Sequence, residues 1–162
     1  MIHIRKAEEK DYTEIWEIIK PVIEKGDTYT FYPTSTKEQM LAYWCGSDKH
    51  CYVALVENKV MGTFIMKDNQ PGLGSHVANA SYMVSPQSSG KGIGRTMGEF
   101  SLQEAKKLGY RAMQFNMVVK TNNTAVELWK KIGFKIIGEI PEAFNHNKFG
   151  YTNAYIMYKN LE

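Results

Sequence analysis

The segment from His76 to Val119 constrains the fold most, because it reads as a strand, a glycine-rich turn, an amphipathic helix and a second strand without a break. The run HVANASYMV has β character. Ile93, Met97, Phe100, Ala105 and Leu108 then recur at about helical spacing, Gly109 sits where a C-terminal cap is expected, and Arg111 to Val119 is again a β-type run. A strand, a connecting helix and another strand normally make a right-handed crossover with the two strands parallel. Ligands favour the carboxyl ends of such strands, and the glycine turn falls there.

The flanking segments cannot all join that sheet in parallel. Ile2 to Lys6 alternates as a short strand does, and Asp11 opens a segment with Ile15, Trp16, Ile18, Ile19, Val22 and Ile23 at helical spacing, ending at Gly26. An aromatic loop, DTYTFYP, leads to a second helix expected to start at Thr36 and to bury Met40, Leu41 and Trp44. Cys51 to Glu57 and Val60 to Lys67 are two β-type runs around Asn58-Lys59, a hairpin signal. After the second strand of the crossover, Asn122, Asn123 and Thr124 offer helix caps ahead of Ala125, Leu128, Trp129 and Ile132, with Gly133 at the stop. Phe134 to Ile140 and Ala154 to Tyr158 read as the last strands, divided by the irregular segment PEAFNHNKFGY. A hairpin inside an otherwise alternating pattern predicts a mixed sheet of about six to seven strands flanked by about four helices, an α/β architecture.

Bulk properties narrow the function. A chain of 162 residues with 43% hydrophobic content is long enough for one sizeable core, so residues 1–162 are expected to form a single domain. Twenty basic and 17 acidic residues give a net charge of +3 without basic blocks, which speaks against nucleic acid as a partner. The amino terminus MIHIRKAEEKDY carries charges where a signal peptide needs an apolar stretch, and no segment has the length of a membrane span, so a cytoplasmic, soluble protein is expected. Cys45 and Cys51 cannot build a disulfide framework and are read as reduced; His3, His50, His76 and His146 show no metal-ligand spacing, so no metal is expected.

The turn QSSGKGIGR, Gln87 to Arg95, is where chemistry is expected. Glycine lets backbone N–H groups approach a ligand closely, and a helix start adds positive dipole, so a phosphate is the default ligand. A Walker loop needs G-x-x-x-x-G-K-S/T, but Arg95 stands where the second glycine should be. A dinucleotide turn needs G-x-G-x-x-G with an acid at the end of the next strand; Arg95 again takes the third glycine position, and RAMQFNMVV has no acid. What remains is Q-x-x-G-x-G with Gly94 following and Lys91 and Arg95 to neutralise a diphosphate.

Gln87-Ser88-Ser89-Gly90-Lys91-Gly92 resembles the signature Q/R-x-x-G-x-G/A of the GCN5-related N-acetyltransferases, and a second element of that family is matched by Asn122, Ala125, Leu128, Trp129, Gly133 and Phe134. The resemblance covers essentially Ile2 to Leu161. It implies a single-domain fold in which the fourth and fifth strands splay, with acetyl coenzyme A as co-substrate and direct transfer of the acetyl group to an amine. It further implies that Gln87 to Arg95, including Ile93 and Gly94, wrap the pyrophosphate. Met83, Val84 and Ser85 would line the pantetheine arm, with Asn122, Ala125 and Trp129 beside it. Many relatives carry Tyr where Trp129 stands, and indole cannot protonate a departing thiolate near neutral pH. HVANASYMVS also lacks the Glu that some relatives use as base.

Asn79 and Asn116, taken as amides in buried strands, need a structural partner or a ligand. The segments SHVANASYMV and AMQFNMVV resemble the subgroup that acetylates proline analogues such as azetidine-2-carboxylate. On that resemblance Asn79 orients the reacting groups and Asn116 touches substrate. Tyr29, Phe31 and Tyr32, from the aromatic loop, and Phe144 and His146, from the late irregular segment, are further candidates for the acceptor wall. Each has a plainer reading: Asn122 as a helix cap, the strand asparagines as satisfied polar groups, Trp129 as core. The function classes left open are an acetyltransferase for a small-molecule amine, extending to phosphinothricin-like compounds or a protein amine, and a non-catalytic acyl-coenzyme A-binding domain. The resemblance also makes a homodimer an expectation, with no residue to locate its interface.

Overall fold

The computed structural model describes residues 1–162. Seven strands, β1 (Ile2–Lys6), β2 (His50–Val56), β3 (Lys59–Asp68), β4 (Val77–Val84), β5 (Ala112–Val119), β6 (Lys135–His146) and β7 (Gly150–Asn160), form one sheet in the order β1-β2-β3-β4-β5-β7-β6. Four helices flank it: α1 (Tyr12–Glu24), α2 (Lys37–Trp44), α3 (Ile93–Lys107) and α4 (Asn123–Lys131). All neighbouring strands are antiparallel except β4 and β5, the two strands of the crossover. The expected mixed α/β sheet is therefore the observed one.

Alternation along the strands sends side chains to two cores. Tyr52, Ala54, Phe64, Met66, Ala80, Tyr82, Met113 and Phe115 face α3 and α4 and bury Ile93, Met97, Val126 and Trp129. Val53, Val60, Ile65 and Met83 face the other way and bury Ile15, Ile18, Ile19 and Ile23 of α1 with Met40 and Trp44 of α2. Fully burying each such isoleucine contributes roughly 1.5–3 kcal/mol, which fixes α1 more firmly than helix propensity can. α2 starts as the sequence indicates: Thr36 Oγ1 accepts from Gln39 N at 3.2 Å while Gln39 Oε1 accepts from Thr36 N at 2.9 Å. The indole of Trp44 donates to Thr63 Oγ1 at 2.9 Å, which in turn donates to the Tyr52 carbonyl at 2.8 Å, so this buried polar pair is satisfied.

Three details correct the sequence reading. The β2–β3 turn is Glu57-Asn58, with φ of 50° and 65°, one residue earlier than Asn58-Lys59. A two-residue turn of this kind needs positive φ at both central positions, and Asn tolerates it. Asp11 precedes α1 but does not cap it; its carboxylate takes both Arg5 guanidinium nitrogens at 2.7 and 2.9 Å and the Glu8 N–H at 2.7 Å. The segment PEAFNHNKFGY is mostly strand rather than irregular, because β6 continues to His146 and β7 begins at Gly150. β6 is an edge strand with a register shift between Ile140 and Phe144, and an edge with a bulge accommodates Pro141.

Candidate functional site

β4 and β5 are in register only at Val77↔Ala112 and Ala78↔Met113; beyond those pairs they part. Aromatic side chains wedge the α3 face of this fork: Tyr82 lies 4.8 Å from Trp129 and 5.9 Å from Phe115, and Phe115 lies 4.7 Å from Trp129, ring centre to ring centre. At the base of the fork Asn79 Nδ2 donates to the Gln114 carbonyl at 3.1 Å, bridging the two strands where their ladder ends. That carbonyl can only accept, so the amide orientation is fixed and Asn79 Oδ1 is left as an acceptor. Beyond the fork β5 is irregular against β7 between Phe115 and Val118.

The fork opens into a cavity of about 1080 Å³ that runs from the glycine turn to the aromatic loop. At one end the N–H groups from Ser89 to Arg95 donate to no backbone carbonyl, and α3 begins directly behind them. Gly90 and Gly92 take φ of 78° and 79°, the left-handed region that costs other residues about 1–2 kcal/mol and that glycine adopts freely. A 15-residue helix adds its N-terminal partial charge there. Free N–H groups and a helix start are the features that suit an anion. Arg95 is partly engaged by Glu99, its Nε 2.9 Å from the carboxylate, and Lys91 is exposed.

Most of the expected coenzyme residues line this cavity: Met83, Val84, Ser88, Ser89, Gly90, Gly92, Ile93, Gly94, Arg95, Asn122, Ala125 and Trp129. Ser85, Gln87 and Lys91 belong to the same loop but do not line it. Asn122 Oδ1 caps α4 by accepting from Ala125 N at 3.3 Å, so its cap role is real, and the residue also lines the cavity. Trp129 is 8% exposed and packs against Phe115 and Tyr82, which makes it a wall.

At the other end stand Tyr29 and Phe31 from the aromatic loop and Tyr43 from α2, facing Asn79 on β4, Lys67 on β3 and Asn116 on β5. Desolvation pushes the Tyr29 phenol up to about 12, so it stays protonated. Its hydroxyl accepts from Tyr82 N at 3.0 Å and donates to the Tyr82 carbonyl, taking up both backbone groups of one β4 residue that the parting strands leave unpaired.

The structure corrects four further expectations. Asn116 is exposed rather than buried; its amide donates to Asn69 Oδ1 at 2.8 Å and accepts from Gln114 Nε2 at 3.0 Å, so it belongs to a chain of amides at the cavity mouth. Tyr32 is 80% exposed and does not line the cavity. Phe144 and His146 lie on the long edge hairpin; Phe144 is buried against His146, and His146 Nδ1 accepts from the N–H groups of Lys148 and Phe149 at 3.0 and 3.2 Å. A ring spent on closing a hairpin turn is not an acceptor wall.

The sequence reading missed Lys67, Asn69, Tyr43 and Gln114. These residues reach the site through strand register and loop packing, which no local motif announces. Glu127 on α4 is the one carboxylate lining the cavity, and no histidine lines it. No group of three or more His, Cys, Asp or Glu side chains is placed to hold a metal ion, and no helix is long and apolar enough to cross a membrane.

Comparison with known proteins agrees with this geometry. The model of the acetyltransferase (GNAT) family matches residues 5–134. The structure of a GCN5-related N-acetyltransferase from Kribbella flavida is 37% identical, covers 98% of this chain and 97% of its own, and superposes with a TM-score of 0.93. A yncA acetyltransferase structure from Salmonella typhimurium, described with acetyl-CoA, is 22% identical with a TM-score of 0.87 over 100% of this chain and 95% of that one, a likeness of fold. The N-acetyltransferase aca1 of Schizosaccharomyces pombe is 36% identical over 101 residues, 62% of this chain. The present chain spans about half, 48%, of that curated relative's length.

Proposed function

The chain belongs to the acetyltransferase (GNAT) family, and on that premise we propose that it transfers an acetyl group from acetyl coenzyme A directly to the amine of a small molecule, a proline analogue or other amino acid being the favoured acceptor. The observation that carries this reading is the continuity of the cavity: a run of free N–H groups at one end, parted strands in the middle, an aromatic and amide wall at the other.

The residues fit the coenzyme. N–H groups from Ser89 to Arg95 would hold the pyrophosphate, and the parted edge of β4 would take the pantetheine arm, with Asn122 Nδ2 as a further donor. The coenzyme supplies the thioester whose carbonyl the amine attacks and whose thiolate departs. On the acceptor side Asn79 Oδ1 would take one N–H of the amine and aim its lone pair at that carbonyl. The only lining carboxylate, Glu127, is exposed on α4, so no carboxylate stands by the amine as a base. The amine would therefore react as the neutral form or lose its proton to water.

Incubation with acetyl coenzyme A and a panel of amines, including azetidine-2-carboxylate, 4-hydroxyproline, phosphinothricin and polyamines, tests this by release of free thiol. Release with amino acids supports the reading. Calorimetric binding of the coenzyme with no thiol released by any amine would instead describe a binding domain.

A further inference from the structure

We propose that Lys67 grips a carboxylate of the acceptor and so sets the site's preference for amino acids over simple amines and polyamines; this rests on the acetyl-transfer reading above. Lys67 lies directly opposite Asn79 in the antiparallel β3–β4 register. Opposed residues share one face with Cβ atoms about 4.5–5.5 Å apart. This face is the acceptor side, beneath Tyr29 and Tyr43, because the neighbouring residues Met66 and Ala80 bury themselves on the α3 side.

A lysine here is most simply read as a solvated end of a strand. Its surroundings say otherwise. Lys67 is half-buried in the cavity wall, its ammonium 5.7 Å from the centre of the Tyr43 ring, and it enters no ion pair within the chain. Asp48, whose carboxyl Lys67 helps to hold below its usual range, is already taken by Lys49 at 2.8 and 3.0 Å. A half-buried cation in no ion pair, the nearby Asp48 carboxylate already held by Lys49, beside an amide whose oxygen is unspent, is a receptor for an anion that also carries a hydrogen-bond donor.

An α-amino or α-imino acid has that shape. Its nitrogen and its carboxylate carbon are both bonded to one Cα, so the two groups are held a few ångströms apart. With the nitrogen on Asn79 Oδ1, the carboxylate reaches the cross-strand neighbour. A polyamine would set a second ammonium against Lys67 with no carboxylate at that end of the cavity to offset it. The anchor thus both attracts acids and repels cations.

The test measures thiol release with saturating acetyl coenzyme A, using azetidine-2-carboxylate, proline and methionine, each beside its carboxamide, together with polyamines. Wild type is expected to favour each acid over its amide. Lys67→Met is expected to raise KM for the acids roughly ten- to a hundredfold, the effect of losing a charge-assisted hydrogen bond, and to erase the acid-over-amide preference. KM for acetyl coenzyme A and the melting temperature should hold, and Lys67→Arg should recover most of the loss. An acid-to-amide ratio that is equal in wild type and Lys67→Met overturns the anchor. Thiol release only with amines that lack a carboxylate also overturns it while leaving the acetyltransferase reading intact; no release with any amine overturns both.

Discussion

Asn79→Ala separates chemistry from architecture at the fork. The side chain does two things: its Nδ2 ties β4 to the Gln114 carbonyl at 3.1 Å, and its Oδ1 is left for the acceptor. The tie is one neutral, part-buried hydrogen bond, so its loss should cost about 1 kcal/mol, or a fall of roughly 2–4 °C in melting temperature for a domain of this size. The second effect is on turnover. If Oδ1 aims the amine, its removal lets the nucleophile wander by an ångström or so, which is worth about a hundredfold in kcat. Steady-state thiol release measures turnover, and calorimetry with acetyl coenzyme A shows whether the fork itself has moved, because the same β4 edge would hold the pantetheine arm. The expected result is a large fall in kcat with coenzyme affinity unchanged. Turnover that survives with only the small loss of stability would make Asn79 a brace and nothing more. Turnover and coenzyme affinity falling together would show that opening the fork, not orienting the amine, is what the residue prevents. Asn79→Asp sharpens the comparison: a carboxylate has no N–H for the Gln114 carbonyl and sets two acceptors face to face, so it should be less stable than the alanine variant.

The remaining predictions use other parts of the structure. Gly92→Val places a β-branched residue at φ of 79° and should raise the dissociation constant for acetyl coenzyme A at least about tenfold, with the circular dichroism of a folded domain; unchanged affinity by calorimetry would remove the loop from the coenzyme site. Asp11→Asn should destabilise the protein by about 2 kcal/mol at neutral pH without changing kcat, since it strips the Arg5 fork of its partner. Arg5 holds the Asp11 carboxyl below its usual range, so the contribution is full above about pH 4 and is lost as pH falls through the lowered value; the gap between variant and parent, followed by denaturation at several pH values, should close on the acid side. Finally, with no carboxylate or histidine beside Asn79 and the Tyr29 phenol protonated up to about 12, kcat/KM should rise with pH until the acceptor's own amine has titrated. Acceptors of different pKa should move that limb, and a limb fixed near neutrality for every acceptor would reveal a base within the protein.

What could be read from the sequence divides along physical lines. The crossover and the hairpin were legible because their signals are local: periodicity changes from two to about 3.6 across Val84 to Ile93, and turn formers punctuate it. The glycine turn was legible for the same reason, since its free donors from Ser89 to Arg95 are consecutive and need no partner from elsewhere. The proposed acceptor wall was not. Lys67 faces Asn79 only through the β3–β4 register, and the Tyr29 hydroxyl reaches the Tyr82 backbone across 53 residues of sequence. His146 misled for a related reason: with β6 and β7 read as short, Phe144 and His146 fell in a loop free to approach the site, whereas the strands run on and carry both away. Pro141 and the asparagines pointed to irregular chain because turn chemistry is judged without knowing that β6 is an edge, where a missing N–H costs no ladder bond.

Trp129 gains a physical reason from the packing around it. Its ring closes a stack with Tyr82, Phe115 and Phe134 on the α3 side of the fork, so at this position an indole contributes area that keeps β4 and β5 apart. The phenols near the fork are committed elsewhere: Tyr82 Oη lies 2.6 Å from Ser101 Oγ, and Tyr29 occupies the Tyr82 N–H and carbonyl from the opposite face. Burial keeps both above the ordinary phenol range, which suits them to hold hydrogen bonds rather than to exchange protons near neutral pH. A site made this way has exchanged titrating groups for fixed ones. On the proposed reading its catalytic leverage comes from where the amine nitrogen is held relative to the thioester, and the side chains of β3 and β4 on that face, Asn79 first among them, would set that distance.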